Sequence, residues 1–211
     1  MKPLPTIKHA PANMAKQRGL VLFFALIALV VMSLAAVALI RSVDTSTMIA
    51  GNIAFKQSTT ASGDAGIEAA IAWLSATEVA NSGLNIYLNP AHPFNVNDVA
   101  NGYYTNVDPN LNLFADATWN DVAGTEIVDN SNNQIRYIIQ RMCRTANSLI
   151  RTDDCLFSGA ILNLDNNTTP IPQEFCNGPG CPVAGQTPQI RITSRTIGAK
   201  NTVSYLQAFV Y

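Results

Sequence analysis

From Leu20 to Ile40 the chain reads LVLFFALIALVVMSLAAVALI, 21 residues with no charge and one hydroxyl. As a helix this stretch is about 31 Å long, the thickness of a bilayer's hydrocarbon core. Ahead of it stand Lys2, Lys8, Lys16 and Arg18, with no acidic residue. The positive-inside rule then holds residues 1–19 in the cytoplasm and exports everything after Ile40. A chain built this way is expected to be a single-pass membrane protein with one exported domain, for which 211 residues are enough.

The formal net charge of −1 conceals an asymmetry. Residues 1–19 hold four of the 13 basic residues and none of the 14 acidic ones, so the rest carries nine against fourteen, a net of −5. No Lys/Arg cluster follows the span, and a mildly acidic exported domain offers nucleic acid no basic footprint. All four cysteines, Cys143, Cys155, Cys176 and Cys181, lie in the last third, on the exported side. An even number in an oxidising compartment reads as disulfides. Three pairings are open, and sequence neighbours are favoured: Cys143–Cys155, enclosing Arg151, Asp153 and Asp154, and Cys176–Cys181, closing a turn-forming NGPG. The rival is a zinc site, against which stand unsuitable spacings and no histidine nearby.

Three kinds of segment place apolar residues behind a basic start. A cleaved secretory signal has a shorter apolar run and an A-x-A-like site after it, which VALIRSVD does not provide. An uncleaved signal anchor fits the hydropathy. The third kind is a leader cut on the cytoplasmic side, before the apolar run, and KQRG followed by LVLFFALIALVV has that form: basic residues, then Gly19, then the helix at once. Glycine suits such a bond because a peptidase must approach the backbone closely there. Met14 offers an alternative start with a six-residue leader.

Between Arg41 and Leu74 no proline occurs, and Ile49 and Ile53, then Ile67, Ile71 and Leu74, recur at helical spacing. Alanines at 61, 65, 69 and 72 add a stripe of small residues. One helix is therefore expected from the span to Leu74, weakened by about 1 kcal/mol at each of Gly51, Gly63 and Gly66, where it could bend. A transmembrane helix, a linker and a separate helix fit the same periodicity.

Residues 47–74, TMIAGNIAFKQSTTASGDAGIEAAIAWL, are similar to the PilX-type minor pilins of the type IV pilus, which carry an M-x-GN-like element and then an alanine-rich, glutamate-containing helix end. IRYIIQRMCRT at 135–145 resembles that family's strand leading to a cysteine, and residues 188–211 its closing hairpin. Residues 75–130 carry no usable resemblance. The family implies cleavage between Gly19 and Leu20 by a prepilin peptidase and N-methylation of Leu20. It implies residence in the bacterial inner membrane and then in a surface pilus. Its partners would be other minor pilins, the major pilin and a tip adhesin. Neither nucleic acid nor any cofactor is expected.

Most pilins carry a glutamate at the fifth mature residue, which here is Phe24. In the filament that glutamate neutralises the terminal amine of a neighbouring subunit, and an unpaired charge in an apolar core costs several kcal/mol. A subunit without it fits best at the tip, with no predecessor to neutralise. Ser33 and Arg41 stand where major pilins often have helix-melting glycine and proline. The resemblance thus implies a minor pilin that helps initiate assembly near the tip. A tip pseudopilin of a type II secretion system, and a signal-anchored adhesive or binding protein outside any filament, are the alternatives.

The expected fold is α+β and type IV pilin-like, a long N-terminal helix packed on a C-terminal antiparallel sheet. Its parts would be a leader (1–19), the span (20–40), the exported half of the helix (41–74), a long loop rich in Asn, Asp, Gly and Pro (75–118), and the sheet with its disulfides (119–211). Strand-like runs are GTEIVD, QIRYIIQRM, SGAILNL, PQIRITSRT and NTVSYLQAFVY, the last two joined by IGAK. Chemistry is sparse. His92 stands alone beside prolines, no nucleophile has an evident histidine partner, and no phosphate loop is present. Asp153, Asp154 and Asp165 lack calcium-loop spacing. Trp73 and Trp119 suit a core, Asn166 and Asn167 begin acceptor-like sequons, and Glu68 sits among alanines on the helix. An enzyme is not expected.

Overall fold

The computed structural model describes residues 18–211. Residues 1–17 of the expected leader, Met14 and Lys16 among them, lie outside these. Helix α1 spans Arg18–Ala80, and within it the chain divides into two units, 1–51 and Asn52–Tyr211.

In the first unit every side chain from Leu20 to Ala50 is exposed, and among the described residues one helix is long and apolar enough to cross a membrane. Its few hydroxyls are turned inward. Ser33 donates to the Leu29 carbonyl at 2.8 Å, Thr45 to Arg41 at 2.9 Å and Ser46 to Ser42 at 2.9 Å. The apolar run thus offers no unsatisfied polar side chain to lipid, the condition for a spanning helix.

In the second unit α1 continues through Ala80, six residues past the expected end at Leu74. Five strands follow: β1 Tyr103–Tyr104, β2 Ile127–Val128, β3 Gln134–Arg141, β4 Ile190–Ile197 and β5 Val203–Val210, with the short helix α2 (Asp116–Asp121) between β1 and β2. β3, β4 and β5 form an antiparallel meander, with Tyr137 opposite Ser194 and Ser194 opposite Leu206. The far edge of β3 is shared: β2 pairs antiparallel at Gln134 and Ile135, β1 parallel at Ile139 and Gln140. The sheet is therefore mixed, which corrects the expected antiparallel one. A parallel pair needs a crossover connection, and the chain between β1 and β3, with α2 in it, supplies it.

Both faces of the sheet are covered. Ala70 of α1, with Ile67, Trp73 and Leu74, packs on Tyr103, Tyr137, Ile139 and Ile192. On the outer face Trp119 and Val122 pack on Tyr104 and Ile138. Coverage on both sides explains why IRYII has no clean alternation: Tyr137 and Ile139 face the helix, and Ile138 faces Trp119.

Thr59, Gly63, Gly66 and Ala70 form the buried line of α1, at i, i+4, i+7 and i+11. Ala61, Ala65 and Ala72 are exposed, as are Ile71 and Glu68. The small residues that seat the helix are thus mostly the glycines, not the alanine stripe, and α1 runs through Gly51, Gly63 and Gly66 unbroken. Hydroxyls seal the line's lower end: Thr59 bonds Ser204 at 2.7 Å, and Lys56 donates to the Val203 carbonyl at 2.7 Å.

Residues 75–118 are not a plain loop. Their asparagines and aspartates make Asx turns on their own backbone: Asn85 accepts from the Tyr87 N–H, Asn89 from Ala91, Asp108 from Asn110 and Asn112 from Phe114. These turns deliver Phe94 and Tyr103 to one face of the sheet and Tyr104 to the other. SGAILNL forms no strand either; Ile161 and Leu164 are exposed and only an isolated bridge joins Leu162 to Thr168. With no apolar face to bury, alternation there has nothing to pair against. GTEIVD shrinks to the two residues of β2. In the β4–β5 turn the left-handed residues are Lys200 and Asn201, while Gly198 leaves space: a Cβ there would sit 2.3 Å from Thr59 Cγ2.

Candidate functional site

The Gly19–Leu20 bond lies in the first turn of α1. Leu20 and Phe24 are exposed, and Phe24 stands edge-on to Phe23 with ring centroids 6.3 Å apart. Position 24 is thus an apolar, outward-facing surface with no group able to pair with an amine.

In the second unit the residues singled out for chemistry have structural occupations. His92 is buried; its Nδ1 accepts the Phe94 N–H at 3.1 Å and caps a helical turn at Pro93–Asn95. Burial pulls its pKa down, against an upward pull from Glu78. Asp154 accepts from Thr145 N–H at 3.1 Å, Thr145 Oγ1 at 2.8 Å and Ser148 Oγ at 3.3 Å, so it staples its own loop. Asp165 lies in an exposed turn organised by Asn163, away from this cluster in sequence. Trp119 is fully buried with Nε1 donating to Leu113 O at 2.8 Å, and Trp73 packs 5.4 Å from the Tyr103 ring. Among the described residues one group of metal-ligand types converges, Cys143, Asp154 and Cys155, but its two sulfurs are bonded to each other.

The cysteines pair as sequence neighbours, Cys143–Cys155 and Cys176–Cys181. The first lies in a core with Ile150, Ile86, Tyr87 and Phe157. The second lies at the surface, and the Arg151 guanidinium, from inside the first loop, is directed at it.

Arg141, the most constrained polar residue of the unit, carries no local pattern that would single it out in the sequence. It is buried, and no carboxylate pairs with it. Nε donates to Thr105 O at 2.9 Å, Nη1 to Phe94 O at 2.7 Å and Asn95 Oδ1 at 2.8 Å, and Nη2 to Ser148 O at 2.7 Å. It joins three segments that are distant in sequence. Burial pulls its pKa down, while the Tyr103 phenol and Asp154 push it up. Burial also drives the Tyr103 phenol up to about 12, so it stays a neutral donor to Phe94 O.

The second unit carries several concavities, and two stand out by their lining. A 580 Å³ cleft on the outer face is lined by Arg136, Arg195, Asp116, Asn120 and Gln134. Each cation there has its own carboxylate, Arg136 with Glu126 and Arg195 with Asp116, so the cleft is electrically balanced. A 380 Å³ groove, mainly apolar, lies between Ile71 and Leu74 of α1 and Tyr87, Phe94 and Val210. Neither places a nucleophile beside a base.

These features define an α+β protein: one N-terminal helix long and apolar enough for a single-pass anchor, a mixed sheet on the second part of that helix, and two disulfides. No protein-family model, no curated protein and no solved structure matches the chain.

Proposed function

We propose that this chain is a minor pilin that helps initiate a type IV pilus and stays near its tip, with no catalytic role. One observation carries the reading: a charge-free helical run, Leu20–Ile40, exposed throughout and lacking a carboxylate at Phe24, follows directly on a basic segment ending in Gly19. Such a helix packs laterally with the apolar helices of other subunits after leaving the inner membrane, and Phe24 suits it to a place with no preceding amine to neutralise. The fold supports this division of labour. The buried line Thr59–Gly63–Gly66–Ala70 holds the sheet to α1, while Ala61, Ala65, Glu68 and Ala72 face outward for neighbouring subunits.

Labelling with an antibody to residues 158–170, an exposed segment, tests the position. On filaments from cells making the protein, one label at one end is expected. Label along the shaft would make it a bulk subunit. Label only on the cell body, with filament number unchanged by deletion of the gene, would favour an anchored adhesive protein or a secretion pseudopilin.

A further inference from the structure

The two disulfides stand in opposite surroundings. Cys143 and Cys155 are buried in an apolar cluster. Cys176 is buried but Cys181 is half-exposed, and the intervening Asn177, Gly178 and Pro179 are open to solvent. Arg151 Nη1 lies 2.7 Å from Cys176 Sγ and 3.1 Å from Cys181 Sγ. It takes part in neither of the two ion pairs among the described residues, which are Arg136–Glu126 and Arg195–Asp116. Its place is fixed from behind, because the Thr152 N–H donates to Gly180 O at 2.7 Å and ties its loop to the disulfide's. A neutral disulfide is a weak acceptor and gains little from a guanidinium. A thiolate gains a great deal, since a neighbouring cation lowers its pKa and makes it a better leaving group.

We propose that Cys176–Cys181 is a thiol–disulfide exchange site, with Arg151 as the residue that stabilises its thiolate. The co-reactant is a dithiol, either a small molecule or a reduced Cys pair of another protein. One thiolate of the dithiol attacks the Sγ of Cys181, the more exposed residue of the pair. A mixed disulfide forms, and the electron pair of the Cys176–Cys181 bond leaves on Cys176 Sγ as a thiolate beside Arg151. The dithiol's second sulfur, once deprotonated, attacks its own sulfur in the mixed disulfide and expels Cys181 as a thiolate. Both cysteines end as thiols or thiolates and the dithiol as a disulfide, two electrons having passed to this chain. The reverse reaction is eased by the shortness of the loop, whose sequence separation is 5, because closing so few residues costs little chain entropy. Cys143 and Cys155 are both buried residues and, among the described residues, no cation donates to their sulfurs, so that pair is expected to exchange far more slowly.

The full chain in detergent micelles, incubated with dithiothreitol, trapped by alkylation and mapped by mass spectrometry, tests this. Cys176 and Cys181 are expected to open at least about tenfold faster than Cys143 and Cys155. Arg151→Gln should slow that opening roughly three- to tenfold, and Arg151→Lys should restore most of it. Continued protection of Cys143 and Cys155 in the glutamine variant reports that its fold is intact. A second reading needs no variant: in the reduced wild-type chain, Cys176 should alkylate with a midpoint pH below that of the same cysteine in urea. Equal opening of the two disulfides, indifference to Arg151→Gln in an intact fold, or the same midpoint with and without urea would each overturn the proposal.

Discussion

Gly66→Val is expected to destabilise the C-terminal unit by about 3 kcal/mol, among the largest effects of any single substitution in α1. A Cβ on Gly66 would lie 2.3 Å from Ser194 Oγ, 2.8 Å from Ile135 Cγ2 and 3.0 Å from Ser194 Cβ. Those atoms belong to β4 and β3, which are paired to each other and cannot part without breaking the ladder. The helix must lift instead, and the contacts of Ala70 and Trp73 with Tyr103 and Ile192 thin along its whole buried line. Gly51→Ala gives the contrast. Nothing lies within 4 Å of its would-be Cβ, and alanine favours a helix by about 1 kcal/mol over glycine. Thermal unfolding of the full chain in detergent, followed by near-ultraviolet circular dichroism, should show a much lower midpoint for Gly66→Val and none of that loss for Gly51→Ala. Similar midpoints for the two would mean that the helix does not rest on the sheet through its glycines.

Arg141→Met should cost about 3 kcal/mol or more, the scale for breaking a buried hydrogen-bond network. Its four bonds satisfy the carbonyls of Thr105, Phe94 and Ser148 and the Asn95 side chain. Without the guanidinium the Thr105 and Ser148 carbonyls and Asn95 Oδ1 lose their donor, at about 1–3 kcal/mol for each that water cannot reach, while Phe94 O keeps the Tyr103 phenol. Arg141→Lys keeps the charge but not the planar fork, and should recover only part of the loss. In urea the midpoint of unfolding should fall strongly with the slope unchanged. Limited proteolysis should cut first within 93–106 and 144–150, the segments Arg141 ties together. An unchanged midpoint would show that those carbonyls find other donors.

What the sequence disclosed follows from what its signals measure. Hydropathy reveals the charge-free run from Leu20 to Ile40, and β-branched density reveals β3, β4 and β5, because both report on transfer of apolar surface out of water. The seating of α1 escaped notice for the same reason. Thr59, Gly63 and Gly66 bury almost no apolar side chain, and they matter through the closeness of backbone they permit. Glycines that look like weak points in a helix are here its contact line, and the alanines at 61, 65 and 72 point away. β1 is only two residues long, and its parallel partner depends on a crossover that no local pattern encodes. The Asx turns of 75–118 look like loop composition, yet they bring Phe94, Tyr103 and Tyr104 to the core. Arg141 and Arg151 gave no sign because their partners, backbone carbonyls and sulfur atoms, are recognisable only once the chain has folded.

Whether a leader is cut before the apolar helix can be read from the mass of the mature N-terminus. The chain should be expressed with a prepilin peptidase, purified from membranes and its N-terminal peptide sequenced by mass spectrometry. The peptide is expected to begin at Leu20 and carry an N-methyl group, and Gly19→Ala is expected to leave the leader in place. An intact leader in the presence of active peptidase, with Gly19→Ala making no difference, would contradict this expectation.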